Sequence, residues 1–224
     1  MQREPRFAAS GDPYRDLAHL YDPEHDLVTE DIELYRDLAA LAGDDVLDLG
    51  CGDGMLLETL SKEKNVSGVG LEIDPDNITR ALARGVNVIE HDLNVGLGNF
   101  RDDSFDMVVM TLALQTLRYP HLVIDEMLRV GRECIVTFPN FGHWRSRWYL
   151  GHRGKMPVSK FLPYTWYDTP NIHFCTVKDF EALCDEKNIR ILNSSVIGAD
   201  NSQSPLANRF PNLLGVTAVY HISK

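Results

Sequence analysis

From residue 45 onward the chain alternates between short unbroken apolar runs and longer stretches in which apolar side chains recur every three or four residues. The unbroken runs fall at about 45–49, 66–72, 86–90, 105–111 and 134–138. The helical stretches between them cover about 55–63, then Pro75 to about Arg84, then a segment carrying Leu122, Ile124, Met127 and Leu128. Pro75 suits a first helical turn and Gly85 suits a helix stop. Strands that are apolar throughout are covered on both faces, so this rhythm predicts parallel strands with helices packed on either side. Near the C-terminus, a helix at 176–187 precedes I-R-I-L (189–192). The last run, V-T-A-V-Y-H-I (216–222), alternates and reads as a half-buried strand. Seven strands in a doubly wound, mostly parallel sheet are expected. Upstream, residues 1–27 are polar, mixed in charge and interrupted by prolines, and read as a loose or partly disordered arm outside the domain that begins near 28. A helix over about 30–42, capped by Thr29 and ended by Gly43, would lead into the first strand.

The informative chemistry sits where the first strand ends. V-L-D-L-G-C-G-D-G (46–54) places a strand against a glycine-rich turn, and Glu72 closes the second strand 22 residues beyond Gly50. This is the outline of a nucleoside-binding β-α-β unit. A dinucleotide site spaces its glycines G-x-G-x-x-G and seats a pyrophosphate on a helix N-terminus. Here Gly50, Gly52 and Gly54 give G-x-G-x-G, and Asp48 lies two residues upstream. A buried carboxylate there repels a pyrophosphate and suits an ammonium group. The D-x-G-x-G-x-G run resembles motif I of the class I S-adenosylmethionine (SAM) methyltransferases, whose cofactor carries an amino acid and a sulfonium and no phosphate.

Ligands of open parallel sheets bind beyond the carboxyl ends of the strands. The candidates at those ends are Asp48, Gly50, Cys51 and Gly52 after the first strand, Glu72 and Ile73 after the second, Asp92 and Leu93 after the third, and Thr111 with Leu112 after the fourth. Glu72 suits the ribose hydroxyls, Asp92 the adenine amino group, and Thr111 the methionine side. Asp74, followed by Pro75, reads as a helix cap rather than a ribose ligand. Cys51 reads as a small side chain that fits the turn. Matched to the methyltransferase pattern, Asp48, Gly50, Gly52, Glu72 and Asp92 imply a site for SAM or S-adenosylhomocysteine.

After the fifth strand comes an insert, 139–175, with all three tryptophans and four prolines. Residues 142–160 hold five basic side chains and no acid, while the whole chain has a formal charge of −11. Loops this long in compact domains carry function or lack order, and aromatic density argues for function. The insert reads either as a packed cap over the sheet with solvated arginines or as a surface for an anion, an acidic partner or an acceptor substrate, with Trp144, Arg145, Arg147, Trp148, Arg153 and Lys155 as the candidates. His143, at the mouth of the fifth strand, is the candidate general base, in competition with a structural histidine bonded to backbone. His173 and Cys175 are too few to hold a metal.

Composition narrows the partners. Strong net acidity argues against a protein that grips nucleic-acid phosphates, and no apolar run is long enough for a membrane span. Cys51, Cys134, Cys175 and Cys184 have no C-x-x-C spacing and read as reduced thiols of a cytoplasmic protein.

Several longer runs sharpen the resemblance. G-L-E-I-D (70–74), D-E-M-L-R-V-G-R (125–132), F-P-N-F-G-H-W-R (138–145) and L-P-Y-T-W-Y-D-T-P-N-I-H (162–173) resemble the methionine-biosynthesis family MetW over about 30–192, and P-N-L-L-G (211–215) resembles it again. The resemblance implies a SAM-methyltransferase-like fold and partnership with a homoserine O-acyltransferase (MetX). It supplies no methyl acceptor, so an accessory or regulatory role stands beside the alternative of an active methyltransferase on a small molecule.

Overall fold

The computed structural model describes residues 43–158, 164–167, 169–198 and 205–224. The expected arm at 1–27 and the helix at 30–42 lie outside the described residues. Seven strands form one sheet in the order β3-β2-β1-β4-β5-β7-β6. They are β1 (Asp45–Leu49), β2 (Ser67–Glu72), β3 (Asn87–Glu90), β4 (Phe105–Met110), β5 (Gly131–Pro139), β6 (Arg190–Ile197) and β7 (Thr217–Ser223). The first five are parallel, and β7 runs antiparallel to both its neighbours. Helices α1 (Met55–Lys64), α2 (Pro75–Ala83), α3 (Pro120–Val130), α4 (Trp144–Arg153) and α5 (Val177–Lys187) are joined by two short ones, α6 (Pro205–Arg209) and α7 (Pro211–Leu214).

Side chains alternate across a strand, so each central strand feeds two cores. Leu47, Leu49, Val108 and Met110 pack on one face with Ile124, Met127 and Phe180. Val46, Met107, Val109 and Ile135 pack on the other with Leu57 and Leu60. Asp48 shares the face of Val46, which puts a carboxylate among apolar neighbours on the α1 side.

Two sequence expectations change. Strand β7 is not half-buried: all but one of its residues are buried, because it lies between β5 and β6 rather than at an edge. The alternation seen in its sequence is imperfect for that reason, with Ala218, Tyr220 and Ile222 on one core and Val219 on the other. The insert after β5 is also not one loop, since it opens with the ten-residue helix α4.

Asn140, just past β5, ties three segments together. Its amide nitrogen donates to the carbonyls of Pro211, Asn212 and Gly215, and its Oδ1 accepts from the backbone N–H of Gly142 and Val177. Asn140→Ala leaves these buried groups unpaired, so urea denaturation should show a loss of about 3 kcal/mol. A change within ~0.5 kcal/mol would mean that the segments hold without it.

Candidate functional site

The strand order reverses direction between β1 and β4, and this opens a crevice at their carboxyl ends. The glycine turn forms its floor. Gly50 and Gly52 take left-handed backbone angles, φ 72° and 54°, which strain any residue with a Cβ. A Cβ on Gly50 would press on Ala113 beyond β4, whereas one on Gly52 would meet nothing within 4 Å. Gly50 therefore closes the turn against β4, and Gly52 leaves an open cradle. The N–H groups of Gly50 and Cys51 both donate to the Leu71 carbonyl, at 2.8 and 3.1 Å, which fastens the turn to β2.

Glu72 completes that fastening. Its Oε2 accepts from Gly52 N–H at 2.9 Å, and its Oε1 accepts from Ile73 N–H at 2.7 Å and Asp74 N–H at 2.9 Å. A carboxylate offers about four acceptor directions. Three are already engaged by backbone, so Glu72 shapes the turn first, and about one direction is left for a ribose hydroxyl rather than the two expected. Asp74 caps α2 by accepting from the N–H groups of Asp76 and Asn77, as its position before Pro75 predicts. Asp92 caps the short turn Leu93–Val95, its Oδ1 accepting from both the backbone and the side-chain nitrogens of Asn94.

Asp48 is the electrostatic anomaly. It is 1% exposed, and its Oδ1 has no hydrogen-bond partner among the described residues. Burial, reinforced by the charge on Glu72, pushes its carboxyl up to about 7. Leaving a buried carboxylate oxygen unpaired is costly, and a donor group arriving in the cleft would relieve the cost. Cys51 is buried beside it, and burial together with the two carboxylates pushes its thiol well above the usual range. It fills space against Gly70 and is no nucleophile.

The far wall is built from β4 and β5. Thr111 is half-buried at the end of β4, and Leu112 beside it holds φ 51°, rare for a leucine. Leu112 N–H donates to Thr137 Oγ1 at 3.0 Å, and the Gln115 side chain donates to the Leu112 carbonyl. The Gln115 carbonyl accepts from Ile172 and His173 N–H, so the far end of the insert folds back onto this wall. Sequence reasoning gave no role to Thr137, Gln115 or Asn140, although Asn140 lies within the F-P-N-F-G-H-W-R run; the signal for Gln115 was a lone amide within L-A-L-Q-T-L.

His143 takes the structural role. It is 8% exposed and caps α4, its Nδ1 accepting from Arg145 N–H, while burial and the Arg145 charge lower its pKa. One of its ring nitrogens is thus engaged with a backbone N–H, the bond of the structural alternative. Of the predicted surface residues, Trp144, Arg145, Trp148, Arg153 and Lys155 are exposed. Arg147 is exposed as well, but its guanidinium is anchored to the carbonyls of Gly142 and Asn212. All four cysteines are free.

The fold and the acid-flanked glycine turn define the class I SAM-methyltransferase architecture. Solved structures agree: a SAM-dependent methyltransferase from Archaeoglobus fulgidus matches with a TM-score of 0.65 at 18% identity, covering 95% of this chain and all of that one. A methyltransferase in complex with the activator Trm112, from Haloferax volcanii, matches with a TM-score of 0.63 at 18% identity, covering 94% and 96%. Residues 30–222 match the model of the methionine biosynthesis protein MetW, and the chain belongs to that family. A bifunctional methionine biosynthesis protein MetXA/MetW of Rhodopirellula baltica is 34% identical over 87% of this chain, which spans 34% of that relative's length. A ubiquinone biosynthesis O-methyltransferase of Nitrosococcus oceani is 26% identical over 85% of this chain and 80% of its own.

The raised Asp48 carboxyl has a consequence for stability. Unfolded, it titrates near 3.8, and folded near 7, so between those values the folded state holds the extra proton. Its stabilising contribution is complete below about pH 4 and is lost as pH rises to about 7. Asp48→Asn removes this dependence. Relative to wild type, the variant should gain roughly 2–3 kcal/mol in urea unfolding between pH 5 and pH 8. Parallel curves for the two proteins would place the proton elsewhere.

Proposed function

We propose that this protein binds SAM in the crevice between β1 and β4 and acts with a homoserine O-acyltransferase as an accessory or regulatory subunit of methionine biosynthesis. One observation carries the cofactor assignment: the unpaired oxygen of buried Asp48 beside a left-handed glycine turn. A group with a positive, hydrogen-bearing nitrogen relieves that oxygen, and SAM carries one on its amino-acid end. The Gly52 cradle takes the backbone approach, the remaining acceptor direction of Glu72 takes a ribose hydroxyl, and the free oxygen of Asp92 takes the adenine amino group. Leu93 and Ile73 flank the base, and Thr111 borders the methionine side. When bound, SAM supplies an electrophilic methyl group.

The partner assignment is supported by the Rhodopirellula relative, whose name joins MetXA to MetW in one chain. Regulation by SAM is coherent with end-product control, since a ligand shifts a complex only through different affinities for its two states. The similarity to ubiquinone O-methyltransferases favours a second reading, methyl transfer to a small acceptor. Against it stands the engagement of His143 in a helix cap. Alignment and exclusion of water carry most methyl transfers, and a base is needed only where the acceptor must lose a proton.

Calorimetry with SAM and with S-adenosylhomocysteine tests the site. Asp48→Ala and Glu72→Ala should each weaken binding by about 1–3 kcal/mol, and unchanged affinity would remove the assignment. Light-scattering titration against the acyltransferase, with and without SAM, tests the role. A complex whose affinity shifts with SAM is expected, and no complex under either condition rejects the accessory reading. Labelled methyl passing from SAM to a metabolite extract would favour the enzyme instead.

A further inference from the structure

Helix α4 has ten residues, and none is buried. A helix this short is marginal without tertiary packing. Its ties to the body are polar and lie at its first half: the His143 cap, and Arg147 bonded to the Gly142 and Asn212 carbonyls. The rest faces outward in two adjoining rows. Trp144, Trp148 and His152 follow one another at intervals of four residues, and so do Arg145, Tyr149 and Arg153. Trp148 is 69% exposed, and its ring lies parallel to His152 at 5.6 Å, while the Arg145 guanidinium sits 5.4 Å from the Trp144 ring. Tryptophan, tyrosine and arginine are the residues that dominate binding energy at protein interfaces. Trp148 is already stacked on His152 and Arg145 already lies over Trp144, so these side chains have less freedom to lose on docking.

We propose that this outward face of α4 is the surface on which the homoserine O-acyltransferase docks, through a patch of that enzyme bearing carboxylates. The proposal rests on the accessory reading above and adds the place of contact. Charge selects the occupant. The 142–160 window holds five basic residues and no acid, within a chain of formal charge −11. A second copy carries the same net negative charge and is repelled at long range, as is an anionic membrane. An acidic patch on a different protein meets the basic rows without that penalty at the site of contact. A chain that joins the two proteins, as the Rhodopirellula name implies, would hold such a contact at high effective concentration.

The test titrates purified acyltransferase into the full chain, comparing wild type with Trp148→Ala, with the pair Trp144→Ala and Tyr149→Ala, and with the pair Arg145→Glu and Arg153→Glu. The aromatic variants should weaken the complex at least tenfold. The charge reversals should slow association and flatten its salt dependence. SAM affinity and melting temperature should stay at wild-type values in each, because these side chains are exposed and none is among the residues assigned to the cofactor. Variants that fold and bind at full affinity overturn the surface and leave the accessory reading standing. No complex with wild type rejects both. A wild-type homodimer that Trp148→Ala dissociates, or binding to vesicles containing phosphatidylserine that the charge reversals abolish, would assign the face to another occupant and overturn the proposal.

Discussion

A single carboxylate organises the cleft. Glu72 draws three backbone N–H groups onto itself, one from the glycine turn and two from its own strand end, and so fixes the turn after β1 against the end of β2. Charge-assisted hydrogen bonds of this kind are about twice as strong as neutral ones. Burial is the main reason that Asp48 resists ionisation, and the neighbouring Glu72 adds to it. Left-handed glycines make the turn possible, and Glu72 makes it stay.

The opposite wall is held differently. A leucine in a left-handed conformation at the end of β4 is pinned by Thr137 from β5 and by the Gln115 side chain. Backbone held in a sparsely populated region persists only where its surroundings determine it, and such places cluster at binding sites. The same wall receives the returning end of the insert through the Gln115 carbonyl, while Asn140 starts the insert one residue past β5. The insert therefore leaves and rejoins the domain at the rim of the cleft.

Much of this was legible before the structure. Apolar runs and helical spacing located all seven strands, with ends within a few residues except at β6, which extends to Ile197, and β5, which starts at Gly131. The spacing of glycines and acids located the turn after β1 and the carboxylates at the ends of β2 and β3, where the structure has them. Asp74 was readable as a cap because Asp-Pro at a helix start has few other uses. What sequence could not show follows from geometry. That Glu72 would spend its acceptors on backbone depends on how closely the turn folds back. That Arg147 would be anchored to backbone carbonyls depends on where α7 comes to rest. Asn140 and Thr137 act through buried contacts between segments far apart in the chain, and no local pattern encodes such contacts.

The reversed direction of β7 decides where the last residue emerges. Ser223 pairs with Glu133 near the start of β5, and Lys224 forms an ion pair with Asp103 in the loop before β4. That corner lies at the opposite edge of the sheet from the crevice and from the root of α4. A tether attached at Lys224, on a sensor chip or a resin, would thus leave the domain at the end of the strands opposite the glycine turn and the root of α4.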